Sequence, residues 1–288
     1  MSGEIKSLTS TLDDLIAPIV AEAQFVAAEQ SIMRNLVKTF AVPMNSGKVL
    51  QVPKYPQLTA ADLTEANDMT GTSDNQAIST SKTDITIKEV GLMTNVSDLA
   101  LNHSTSNVIS DVGRLFGEAI ATKIDTDLVT LFSGFSTQIG AAGQELTVEK
   151  IFQAAADLRA ASVPGPYFGV FHPRAIYHVK KTLTNTFGSG AQGDLANEAL
   201  RTGFIGTIAG IQIFESANID GTTNTDISEN AIFSRDALAM AMASDIKIET
   251  QRDASARATE IVGVATYGVA ELHDSYGVRL TAEAVSTN

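Results

Sequence analysis

The chain has no cysteine and no tryptophan in its 288 residues. Without thiols it has no disulfide framework, no thiolate metal site and no cysteine nucleophile. Aromatics amount to 6%, and small residues carry much of the apolar content, which suits extended, shallow packing better than a deep pocket. The 20 basic residues never gather into a run, and 33 acids leave a net charge of −13. Affinity for phosphate comes from clustered Lys and Arg, so a protein that grips nucleic acid is excluded. A container is not, because an acidic wall lets an enclosed polyanion move freely. No apolar run reaches the length of a bilayer span, and no membrane partner is expected. The opening "MSGEIKSLTSTLDD" has no basic segment ahead of an apolar one, so no secretory signal is read there and a soluble chain made in the cytosol is expected.

What is present is ordinary globular material, 44% apolar and 18% charged, in a chain long enough to bury a core. Ser10 and Thr11 stand three residues ahead of Asp13 and Asp14, a doubled capping-box pattern. From Pro18 onward, Ile19, Ala23, Val26, Met33, Val37 and Phe40 give a helical stripe. That stripe is either a core helix or an arm lying on another subunit. "GKVLQVPKY" (47–55) alternates in part, with Pro53 confining it to a sheet edge or strand end. "SKTDITIKEVGL" (81–92) alternates strictly: Thr83, Ile85 and Ile87 on one face, Lys82, Asp84, Thr86 and Lys88 on the other. Between these strands lies a polar stretch holding Asp62, Glu65, Asp68 and Asp74 and no base. It is too long for a hairpin turn and too polar to bury, so it is expected to reach a neighbouring subunit.

Residues 105–132 carry the longest helical stripe: Val108, Val112, Leu115, Ala119, Ile124, Leu128 and Leu131. Gly113 and Gly117 lie four apart in it, where they allow close packing, and Ser106 or Asn107 is its candidate cap. Thr147 caps a second helix whose apolar face is Val148, Ile151, Phe152, Ala155 and Leu158. "YFGVFHP" (167–173) is a buried strand closed by Pro173, followed by a short helix with Ile176, Val179 and Leu183. "FIGTIAGIQIFES" is a hairpin around Gly206 and Gly210, and "AIFSRDALAMAMA" a further strand. The remainder is strand-rich, with Ile246 and Ile248 alternating with Lys247 and Glu249. Helices and strands mix without regular βαβ spacing, which makes the class α+β.

The chain carries few motifs with a chemical reading. "GSGAQG", Gly188, Gly190 and Gly193, fits G-x-G-x-x-G, with Glu215 near the offset of a ribose-binding acid. The fingerprint needs a strand ahead of it, and "VKKTLTNTF" reads as a helix with a polar tail, so a loop is favoured over a nucleotide site. The histidines (His103, His172, His178 and His273) are scattered without metal-ligand spacing. "TQRDASARATE" gathers Arg252, Asp253, Arg257 and Glu260 into a solvated or inter-subunit ion-pair cluster. No catalytic constellation emerges, and no cofactor or metal is expected.

The order of parts resembles the major capsid proteins of tailed bacteriophages, the Hong Kong 97-type fold. Local phrases carry the likeness: "LMTNVSDLAL", "FGVFHPRAIYHVKK", "GTIAGIQIFESANI" and "GVATYGVAELHDSYGVRLTAE". The resemblance implies an N-terminal arm (1–40), an extended loop (41–92) and a peripheral lobe (93–144) with a spine helix at 105–132. An axial lobe (145–245) and returning peripheral strands (246–288) complete it. It implies a virion shell protein, no enzyme, building hexamers and pentamers of an icosahedral head around double-stranded DNA without sequence-specific binding. Scaffolding, portal and decoration proteins are its implied partners, and the host cytoplasm the place of assembly. Assembly contacts would then involve Lys54, Asp62, Glu65, Asp68, Asp74, Lys82, Gly188, Gly190, Gly193, Arg252 and Arg257. An encapsulin-like nanocompartment shell is the alternative within the fold, and a nucleotide-binding enzyme using Gly188–Gly193 the alternative outside it.

Overall fold

Two sheets share one long helix. The computed structural model describes residues 23, 31–43, 47–55, 58–60, 62, 78–99, 108–187, 206–219 and 227–283, with backbone alone at 108–110 and 182–187. Most of the expected arm helix, the caps at 106–107, the Leu183 side chain and the 220–226 loop lie outside the described residues. A short helix α1 (Met33–Leu36) leads into β1 (Lys38–Ala41). Then come β2 (Val49–Lys54), β3 (Ser81–Thr86), β4 (Lys88–Ser97) and the long helix α2 (Val108–Thr130), which tightens into a 3₁₀ turn at Leu131–Gly134. They are followed by β5 (Gln138–Ile139), α3 (Val148–Ala160), β6 (Tyr167–Phe171) and α4 (Pro173–Phe187). The rest is strand: β7 (Thr207–Ile208), β8 (Ile211–Glu215), β9 (Ile227–Ser234), β10 (Leu238–Asp253), β11 (Ala258–Glu271) and β12 (Gly277–Glu283).

The four-stranded sheet runs β1-β10-β11-β4, and the six-stranded sheet β5-β12-β9-β6-β8-β7. Strand β1 pairs parallel with β10, while β10–β11 and β11–β4 are antiparallel. The six-stranded sheet is buried on both faces, which is why "YFGVF" and "NAIFS" are nearly continuous apolar runs. Phe168, Val170, Ala231 and Phe233 join the core that holds α2 and the four-stranded sheet. On the other face Phe171, Ile232, Val278 and Leu280 pack with α3 and α4 through Ile151, Leu158, Ile176 and Val179. Phe132, at the end of α2, meets Phe233 at 5.5 Å between ring centres and so ties helix to sheet. Thr147 accepts the Lys150 N–H and caps α3 as expected. The Ala209–Gly210 turn joins β7 to β8 with positive φ at both positions (55° and 81°), the two-residue hairpin geometry.

Four expectations are corrected. The helical stripe does not continue to Phe40, because Lys38–Ala41 is extended and bonded to β10. Among the described side chains of α2 the buried apolar ones are Val112, Phe116, Ile120, Ala121, Ile124, Leu128 and Val129, whereas Leu115 is 59% exposed and Ala119 is exposed too. Phe152 likewise points outward from α3, with Ala154 in its place at the core. Finally, "AIFSRDALAMAMA" is two strands, β9 and β10, turning at Arg235–Ala237 into different sheets. The Ala237 N–H bonds to the Ser234 carbonyl at that turn.

Candidate assembly surface

Strands β2 and β3 form an antiparallel ribbon, Val49 opposite Thr86 and Lys54 opposite Ser81. Alternation gives it one apolar face, Leu50, Val52, Ile85 and Ile87, which packs on Val42, Ala239, Ala241 and Leu272. The covered part of the sheet is lined by small residues, so the ribbon backbone comes close. A methyl group on Gly268 would overlap the Thr86 carbonyl oxygen. Lys82, Asp84, Gln51 and Pro53 face outward, and Lys82 lies 3.9 Å from Asp84. Beyond the last rung the apolar side chains lose their cover: Tyr55 is 69% exposed and Ile78 62%.

The root of the ribbon is tied to α2 by one carboxylate. Asp127 receives Lys88 Nζ at 2.7 Å, Lys123 Nζ at 2.9 Å and the Tyr267 hydroxyl at 2.7 Å. Burial works against its ionisation, but the hydrogen bonds from Lys88, Tyr267 and Lys123 prevail and hold it below the usual carboxylate range. Burial and the same carboxylate push the Tyr267 hydroxyl far up. At the other end of the ribbon stands Glu271, whose carboxyl is raised by burial and by Asp274 while Lys54 opposes.

A second carboxylate, Asp125, is almost wholly buried. Its Oδ1 accepts the Ser31 hydroxyl at 2.7 Å and the Met33 N–H at 3.3 Å, and its Oδ2 accepts the Ile32 N–H at 3.1 Å. Asp125 thus caps α1 from another helix and fixes Ser31–Val37 to the body. Burial raises its carboxyl, with hydrogen bonds from Ser31, Ile32, Met33 and Asn218 working the other way. Sequence reasoning missed this residue. The signal was an acid sitting between Ile124 and Leu128 on the apolar stripe.

Of the expected contact residues, Lys54 and Lys82 lie on the two strands of the ribbon, opposite Ser81 and Pro53. Asp62 is exposed, while Glu65, Asp68, Asp74, Gly188, Gly190 and Gly193 lie outside the described residues. Helix α4 runs directly up to Gly188, so the strand a dinucleotide fingerprint requires is replaced by helix. Glu215 is paired with Lys180 at 2.7 Å. Arg252 clasps Asp98 with both terminal nitrogens, at 2.6 and 2.7 Å, and this bonding holds the Asp98 carboxyl low. Asp253 accepts the Ser255 and Ala256 N–H groups and shapes the β10–β11 turn, where Arg257 has a φ of 50°. Among the described residues no group of three His, Cys, Asp or Glu is placed to hold a metal ion, and no helix is long and apolar enough to cross a membrane.

Residues 79–280, from the ribbon's second strand into β12, match the phage capsid protein family. The chain belongs to that family. No curated protein matches this capsid protein in sequence. Its fold is the Hong Kong 97 type seen in solved heads. It is similar to the capsid of cyanophage P-SCSP1u, at a TM-score of 0.68 and 19% identity over 88% of this chain and 89% of that one. A structure from Mycobacterium phage Che8 gives 0.63 and 22% over 82% and 85%. The virus-like particle of Pyrococcus furiosus gives 0.62 and 10% over 92% and 98%.

Proposed function

We propose that this capsid protein is the major shell subunit of a tailed-phage head, assembling as hexamers and pentamers into an icosahedral wall around double-stranded DNA. The observation that carries the reading is the ribbon, whose root is fixed to the body while Tyr55, Leu58 and Ile78 stand exposed beyond its last rung. In a lone subunit these side chains meet water; in a wall a neighbouring copy covers them. The net charge of −13 suits an enclosure that does not grip its genome. The role is structural rather than enzymatic, with scaffolding, portal and decoration proteins as partners and assembly in the host cytoplasm.

The lobe division belongs to the same proposal, adjusted to the strands. Ser31–Val42 joins the body, β10 crosses the 245/246 boundary, and β12 serves the six-stranded sheet of the axial lobe. The nanocompartment reading is not favoured, since the family match is to phage capsids.

Electron microscopy of the recombinant protein, with particle mass by light scattering and nucleic-acid content by absorbance ratio, tests the proposal. Closed shells, formed alone or with co-expressed head proteins, are expected. A subunit that stays monomeric under all these conditions overturns it.

A further inference from the structure

Strand β4 is the last strand of its sheet, paired with β11 on one side and, from Glu89 to Asn95, with no described strand on the other. The Asp98 N–H bonds to the Arg257 carbonyl, and the register runs without a shift from Ser97–Ala258 to Lys88–Tyr267. Alternate residues of an antiparallel strand turn their N–H and C=O groups to opposite sides. Val90, Leu92, Thr94 and Val96, sharing the parity of Asp98, therefore bond inward to β11. Glu89, Gly91, Met93 and Asn95 direct their backbone groups outward.

Natural sheets blunt such an edge with charge, proline or a bulge. From Val90 to Ser97 this edge has none of them. The side chains point to the same vacancy. On the helix side Val90 and Leu92 pack against the main core yet are only half-buried, and on the opposite face Met93 is 59% exposed beside half-buried Val262. A row of amides and carbonyls that no described strand pairs recognises another extended backbone, and a strand added there would cover both sets of side chains.

We propose that the β4 edge is a strand-docking surface and that its occupant is an extended segment of a neighbouring copy of this chain. The inference rests on the shell reading, because a wall surrounds each subunit with copies at high local concentration and closes edges that would otherwise template unlimited pairing.

Hydrogen exchange of peptides spanning 88–97 tests it, comparing dissociated subunits with shells. The outward amides of Gly91, Met93 and Asn95 should exchange freely in subunits and at least about tenfold more slowly in shells. Asn95→Pro removes an outward donor while sparing the β11 ladder, and Met93→Lys places an edge charge. Both should keep the subunit's melting temperature and sharply lower the yield of closed shells. Shells whose edge amides still exchange freely, or subunits whose edge amides are already protected by their own chain, overturn the inference alone. A protein that never forms shells overturns it together with the shell reading. Wild-type shell yields from both variants also overturn it.

Discussion

The ammonium of Lys88 and the carboxylate of Asp127 meet at 2.7 Å, and the Tyr267 hydroxyl donates to the same oxygen. Asp127→Ala leaves that buried hydroxyl without its acceptor and should destabilise the subunit by about 2 kcal/mol, whereas Lys88→Ala, losing a half-exposed partner, should cost about 0.5 kcal/mol. Urea midpoints of the two variants check the ranking. Because the folded carboxyl sits below its unfolded value, its contribution is present above about pH 4 and lost as the pH falls through the folded value. Asp127→Asn should flatten the acid limb of the stability profile.

Asp125 has the opposite sign. Its folded carboxyl is raised, so its contribution is complete below the unfolded value and declines as the pH rises through the folded one. Asp125→Ala orphans the Ser31 hydroxyl and two backbone N–H groups and should cost about 2–3 kcal/mol. Hydrogen exchange should show Ser31–Val37 opening before the rest of the core.

Gly268→Val tests the ribbon's seat. The added side chain collides with the Thr86 carbonyl, and overpacking of this kind costs about 1–3 kcal/mol. Faster protease cleavage around 81–87 and fewer closed shells are expected. Unchanged cleavage would show that the close approach is not what holds the ribbon down.

Replacing residues 57–80 with a short turn should leave the melting temperature of the subunit within a few degrees of wild type, since β2 and β3 keep their rungs and apolar seat. The same deletion should abolish stable shells. Wild-type yields of closed particles from it would remove the extended loop from the assembly mechanism.

Local chemistry was legible where it acted alone. The strict alternation of Ile85 and Ile87 gave the ribbon its buried face, and Thr147 gave α3 its cap, because both effects are set within a few residues. Non-local pairing was hidden. Val37 and Phe40 keep helical spacing, yet ladder bonds to β10, some two hundred positions away, draw Lys38–Ala41 into a sheet. Leu115 and Phe152 show the limit of periodicity, since spacing assigns a face but not what covers it. Nor did the cluster around Arg252 disclose Asp98, which arrives from β4 only through the fold.

Strands β10 and β11 lie under the ribbon at one end and close at the other in the turn that Arg252 ties to Asp98. The rungs between them stand across the strand axes. A pull along the strand axes is therefore borne by these rungs together in shear, instead of parting them one by one like a zip. The member is weakest around Ser244, where the register shifts on both sides. A pull along these strands should give first at that point, by local slip.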